Sequence, residues 1–127
     1  MKSTRNPFSN LTAFCALALL CLLNGCASGP TGQQLATADY GAYPSNYEEI
    51  VKNYFARILF DPYSAHYDIG TPEKGWVGKP PVLGGGVDQF GYMVNVRVNA
   101  KNRFGGYVGE QPYQLLIRDG VVIRHSP

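Results

Sequence analysis

The sequence predicts an α+β fold, with one N-terminal helix packed on a small antiparallel sheet of three or four strands that ends in a C-terminal hairpin. Three observations lead there. Between Tyr47 and Ile58, apolar residues recur at three- and four-residue steps, one face of a helix. Through residues 92–99, apolar and polar residues alternate, as in a strand with one buried and one wet face. Near the C-terminus, two apolar runs flank Asp119-Gly120, a dipeptide suited to a tight reversal.

The helix is expected over residues 46–59. Ser45 and Glu48 have capping-box spacing, in which Ser45 accepts from the N3 amide and Glu48 reaches back. Tyr47, Ile50, Val51, Tyr54 and Ile58 form the apolar face, while Glu49, Lys52, Asn53 and Arg57 fill the other. Asp61-Pro62 stops the helix, because a residue before proline avoids the helical region. Asp61 is placed to cap a short turn, and residues 66–69 read as a short strand. Residues 73–86 read as mostly loop, with Trp76-Val77 as a paired fragment.

In residues 92–99, Tyr92, Val94, Val96 and Val98 share the buried face. For the hairpin, a three-residue loop of Arg118, Asp119 and Gly120 pairs Ile117 with Val121, Leu115 with Ile123 and Tyr113 with His125. A two-residue turn would set Leu115 against Arg124. Since a one-residue slip turns every side chain to the other face, the three-residue loop is expected.

The N-terminus carries a different message. Lys2 and Arg5 precede an uncharged apolar run from Leu11 to Leu23. Thirteen residues are short of the about 20 that span a bilayer, but they fit the apolar part of an export signal, roughly 7–15 residues. The run ends in Leu23-Asn24-Gly25-Cys26, which resembles the lipobox of bacterial lipoproteins, with Asn24 where a small or aliphatic residue is usual. The resemblance implies that the Cys26 thiol receives a diacylglyceryl group, that residues 1–25 are removed as a signal peptide, and that the new amine is acylated. Cys15 and Cys21 would leave with the signal, so Cys26 would be the one remaining cysteine. A lone cysteine in an exported chain calls for a covalent use, and two or more acyl chains give stable anchoring.

The expected organisation is therefore a signal peptide over 1–25, a lipidated tether over 26–44 and a small α+β domain over 45–127. The tether, "ASGPTGQQLATADYGAYP" after Cys26, is small, polar and Gly- and Pro-containing. As a flexible coil it would span roughly 25 Å. Tyr40 and Tyr43 stand in it without a core to join and are candidates for partner contact or for docking the tether onto the domain.

Of eleven Lys and Arg, Lys2 and Arg5 leave with the signal, and the remaining nine balance nine Asp and Glu. A neutral chain gives no reason to expect a nucleic-acid partner.

The most distinctive internal segment is "NAKNRFGGYVG", residues 99–109. Lys101, Asn102, Arg103, Phe104 and Tyr107 are its candidate surface contacts, a pair of cations beside two aromatics. Together with Asp61-Pro62-x-Ser64-Ala65, the segment resembles a pattern of small bacterial proteins without an assigned activity: Asp-Pro-x-Ser-Ala, then Asn-Ala-Lys-Asn-x-aromatic-Gly-Gly-Tyr. That resemblance implies a shared fold and no activity.

Readings as an enzyme or a metal protein are weak. His66 and Asp68 share a strand face, but a metal needs three or four ligands and only a nearby His125 would supply a third. No nucleophile-elbow spacing accompanies the available Ser, His and Asp. Glu48 and Glu49 point apart on a helix. Leu83-Gly84-Gly85-Gly86-Val87-Asp88 lacks the Gly-Lys-Ser/Thr of a phosphate loop and reads as a connector. No catalytic residue, metal or cofactor is expected, apart from the covalent lipid on Cys26.

The expected function is that of a non-enzymatic, membrane-anchored lipoprotein of the bacterial cell envelope, a structural or protein-interaction component of an envelope or secretion complex. Ala27 stands where Asp would resemble an inner-membrane retention signal, which suggests the outer membrane, facing the periplasm, in a Gram-negative cell. The alternative is a module that binds peptidoglycan or lipid head groups through residues 99–109.

Overall fold

The structure is a computed structural model and describes residues 29–127. Cys26, the expected signal peptide and the start of the expected tether lie outside the described residues. The elements are α1 (Gly32–Thr37), α2 (Tyr47–Phe55), β1 (Asp61–Ile69), β2 (Glu73–Gly78), a 3-10 turn (Pro81–Leu83), β3 (Val87–Lys101), β4 (Gln111–Arg118) and β5 (Val121–Ser126).

The antiparallel sheet with a helix on one face is present, but it has five strands, not three or four. The helix foreseen as N-terminal is preceded by another. β3 is the organiser. Its C-terminal half pairs with β1, its N-terminal half with β2, and its other edge with β4, which continues to β5. The expected pairing of Trp76-Val77 is present but belongs to a longer strand, β2, because Glu73, Lys74 and Gly75 show no alternation in sequence and yet pair as well. Its pairing comes from β3, where Gly75 sits opposite Gly91 and Trp76 opposite Phe90.

β3 follows its pattern. Val94, Val96, Val98 and Ala100 are buried, while Asn95 and Arg97 are exposed. α2 covers this face, and Val51 and Phe55 are fully buried against Val94, Val96, Val98, Leu115 and Ile117. The Phe55 ring meets Tyr113 edge-on at 5.0 Å and Tyr67 at 5.9 Å.

Several details of α2 differ from expectation. It ends at Phe55, and the chain leaves through tightening turns in which Arg57 N donates to Tyr54 O and Ile58 N to Phe55 O. Ile58 is consequently 53% exposed, and Phe55 takes the place on the buried stripe that Ile58 was expected to hold. The capping box at Ser45 does not form. Asn46 is the N-cap, without a side-chain bond, and Glu48 turns to Lys52 at 3.6 Å.

The hairpin register is also corrected. Asp119 (φ 50°) and Gly120 (φ 78°) both take left-handed backbone, so the turn has two residues and Arg118 pairs with Val121. The Leu115–Arg124 mismatch that argued against this turn is removed by a bulge. The pairing slips between Leu116 and Ile117, so Leu115 faces His125, where Ile123 was expected, and Arg124 faces Leu116.

From Gly29 onward the expected flexible coil is an ordered strap. Thr31 and Gln34 form a reciprocal capping box at the start of α1. Tyr40 is 7% exposed, edge-on to Phe90 at 5.4 Å, and its hydroxyl donates to Leu35 O. Tyr43 packs edge-on against Tyr92 at 5.2 Å. Of the two uses open to these tyrosines, docking onto the domain is the one seen. The strap covers the N-terminal end of the β3 face, beyond the reach of α2.

Candidate functional site

The two motifs singled out in the sequence meet at one corner of the sheet. β1 pairs Asp61 with Lys101 and then His66 with Asn99, so the intervening residues bulge outward. Ser64 fixes this bulge. Its Oγ donates to Asp61 O at 2.9 Å and accepts from Lys101 N at 3.0 Å, while Ser64 N donates to Asp61 Oδ1 at 3.3 Å.

The β3–β4 loop is fixed in the same way. Asn102 Oδ1 accepts from Phe104 N at 2.9 Å and Gly106 N at 3.2 Å, and Asn102 N donates to Gly106 O. Gly105, at φ 81°, takes the left-handed residue of this reversal. Asn99 Oδ1 accepts from Gly109 N at 3.1 Å and closes the neck. The Tyr107 hydroxyl donates to Ser64 O at 3.1 Å and lies 3.1 Å from His66 Nε2, tying the loop back to the bulge.

The five candidate contact residues therefore divide. Asn102 is spent on the loop's own backbone. Lys101 is half-buried, with its ammonium 5.5 Å above the Tyr107 ring. Tyr107 serves as the tie. Arg103 and Phe104 are exposed, Phe104 by 88%. Two residues that sequence reasoning passed over share this corner: Tyr63 is 101% exposed and Phe60 72%. Phe60 precedes Asp61 and Tyr63 precedes Ser64, so both flank the residues bonded at the bulge. The one signal for them was their position around the Asp-Pro-x-Ser motif, at the point where the helical period fails.

His66 and His125 do not come together. His125 is on β5 and approaches Tyr54, whose hydroxyl is 2.5 Å from Nδ1, whereas His66 is on β1 at the opposite edge of the sheet. Asp68 is occupied by Arg97, which also faces Glu110 at 3.7 Å. The hydrogen bonds that Arg97 donates to Asp68, joined by the charges of Asp68 and Glu110, raise the Arg97 pKa. Among the described residues no three His, Cys, Asp or Glu form a group able to hold a metal ion.

The sheet face opposite α2 carries a shallow groove of about 540 Å³, floored by Met93 and the fully buried Leu116 and walled by Trp76, Pro80 and Leu83. Asp88 and Arg124 are paired at 2.6 Å on its border. No helix among the described residues is long and apolar enough to cross a membrane. No family model, no curated protein and no solved structure matches the chain.

Proposed function

We propose that the chain is a non-enzymatic lipoprotein of the bacterial cell envelope, anchored through Cys26, and that its body is a protein-interaction module whose contact face is the Phe60–Tyr63–Phe104 corner. In a Gram-negative cell it would face the periplasm from the outer membrane. The observation that carries this reading is the contrast at the corner: three large aromatic side chains, 72%, 101% and 88% exposed, stand on backbone held by Ser64, Asn102 and Tyr107. Large apolar side chains left in water are what a partner surface can cover. Backbone already fixed in place lowers the entropy lost on binding, and aromatics supply the largest contact area per ordered side chain. The peptidoglycan or head-group reading draws less support, because Lys101 and Asn102 make their polar contacts within the loop.

The test is crosslinking in cells followed by mass spectrometry, with the wild-type chain and a Phe60→Ala, Tyr63→Ala, Phe104→Ala triple variant. A stoichiometric protein adduct that disappears in the triple variant supports the module. An adduct pattern identical in the two chains, with circular dichroism unchanged, rejects the corner as the contact face.

A further inference from the structure

We propose that the end of the body formed by Trp76 and the Pro81–Leu83 turn rests directly on the phospholipid bilayer, with the indole and the turn in the head-group layer. This rests on the reading of Cys26 as the lipidated residue. It replaces the picture of a body floating on a long tether with one seated on its anchor.

The described chain enters the fold beside Trp76. Gly29 lies against the Trp76 indole, where a Cβ built on it would fall 3.6 Å from Cζ2 and 3.7 Å from Cη2. Three peptide steps separate Cys26 from Gly29. At no more than about 3.6 Å per step they reach about 11 Å. Further along the chain there is little slack to lengthen that reach. Tyr40 is buried on Phe90, and Arg118 Nη1 and Nη2 each lie 2.7 Å from Asp39 oxygens. An acylated Cys26 therefore holds Trp76 near the membrane surface.

The neighbouring turn suits that surface. Lys79 N donates to Gly86 O at 2.9 Å and closes the neck of the 79–86 loop. At its tip Val82 is 90% exposed and Leu83 70%. An exposed valine and leucine at a loop tip, an exposed lysine at its neck and an indole beside it match the layered chemistry of a bilayer: acyl chains, phosphates and the interfacial zone that tryptophan favours. The patch is too small to bind a membrane alone. Tethered by a double acyl anchor, its insertion becomes an intramolecular step.

β3 gives the orientation. The loop enters β3 at Val87, and the aromatic corner leaves it at Lys101. Fourteen residue steps at about 3.3 Å set the two ends about 45 Å apart along the strand. With the Trp76 end on the lipid, the Phe60–Tyr63–Phe104 corner points away from it.

Trp76 is the chain's single tryptophan, which makes the contact directly readable. The full chain is purified from membranes, its intact mass is measured, and it is reconstituted into phosphatidylethanolamine–phosphatidylglycerol vesicles with plain or brominated acyl chains. The expected result is a mass carrying the lipid, a blue-shifted emission, and loss of most of that emission in brominated vesicles. In a Val82→Asp, Leu83→Asp variant the lipid mass is retained and the quenching is lost. A lipidated chain whose Trp76 emission is indifferent to bromine overturns the seated geometry and leaves the anchor standing. A mass showing an unmodified thiol overturns both.

Discussion

Arg118 and Asp39 are 79 positions apart in sequence, yet Nη2 of the one is 2.7 Å from Oδ2 of the other. The same guanidinium donates to the carbonyls of Asp39 and Phe90, at 2.7 and 3.0 Å. A single planar fork thus joins the N-terminal strap, β3 and the end of β4, a geometry that lysine would not reproduce. Replacing Arg118 with Ala should free residues 29–44 while the sheet persists. Amide hydrogen exchange checks this: protection should fall across the strap and stay unchanged in β3 around Val96.

The strap should also respond to acid. The Asp39 pKa is lowered, first by the Gly41 amide bonded to its carboxylate and then by the charge of Arg118. A carboxyl depressed on folding contributes stability above its unfolded pKa of about 3.9, and that contribution is lost as pH falls through the lower folded value. Protection of the strap should therefore persist at pH 5 and fade below about 3.9. An Asp39→Asn chain should show no such dependence, and equal acid loss in both chains would count against the link.

Gly91 should tolerate no side chain. A Cβ there would lie 2.6 Å from the Ile117 carbonyl oxygen and 3.1 Å from Leu116. Backbone cannot move aside as a side-chain tip can, so Gly91→Ala should destabilise by about 1–3 kcal/mol in urea unfolding. Gly106→Ala is the control. Nothing lies nearer its Cβ than Asn102 Oδ1 at 4.0 Å, and its stability should stay within about 0.5 kcal/mol of wild type.

Phe55 is the plug of the core. It is fully buried between α2 and the rings of Tyr67 and Tyr113. Phe55→Ala should cost about 3–5 kcal/mol. In a domain this small, that loss should show as a mainly unfolded chain by near-UV circular dichroism.

Ser64→Ala should loosen the corner without unfolding the sheet. It removes the acceptor for Lys101 N and the donor to Asp61 O, a loss of about 1–3 kcal/mol where a partly buried amide is left unmatched. Faster exchange at Lys101, together with weaker crosslinking through the aromatic corner, is the expected reading.

What was legible in the sequence was what is decided locally or by simple period. The buried valines of β3 alternate with wet residues over consecutive positions, and residues 66–69 pair as a strand. What was not legible depends on distant partners. Tyr40 is buried because Phe90 and Tyr92 lie beneath it, fifty residues on. β2 is a strand because β3 offers it an edge, approached so closely that a Cβ on Gly75 would fall 2.9 Å from Met93 Cβ. The hairpin register was misjudged because the pattern was read as an unbroken ladder, whereas the bulge in β5 restores the faces that the two-residue turn would have swapped. At the corner, the motif residues drew attention to themselves, but most proved to be braces. The exposed rings they support, Phe60 and Tyr63, carried no pattern of their own.

The side of the sheet beyond β3 is split. β1 and β2 lie along it end to end, interrupted by Gly70, Thr71 and the buried Pro72, and β1 is further broken by its bulge. A proline has no amide to offer a newcomer, so a foreign strand meets two short, misaligned templates where one long one would otherwise stand. Copies crowded at high local concentration are thereby denied a continuous seam along which to zip together, and that flank is guarded against fibril-type stacking.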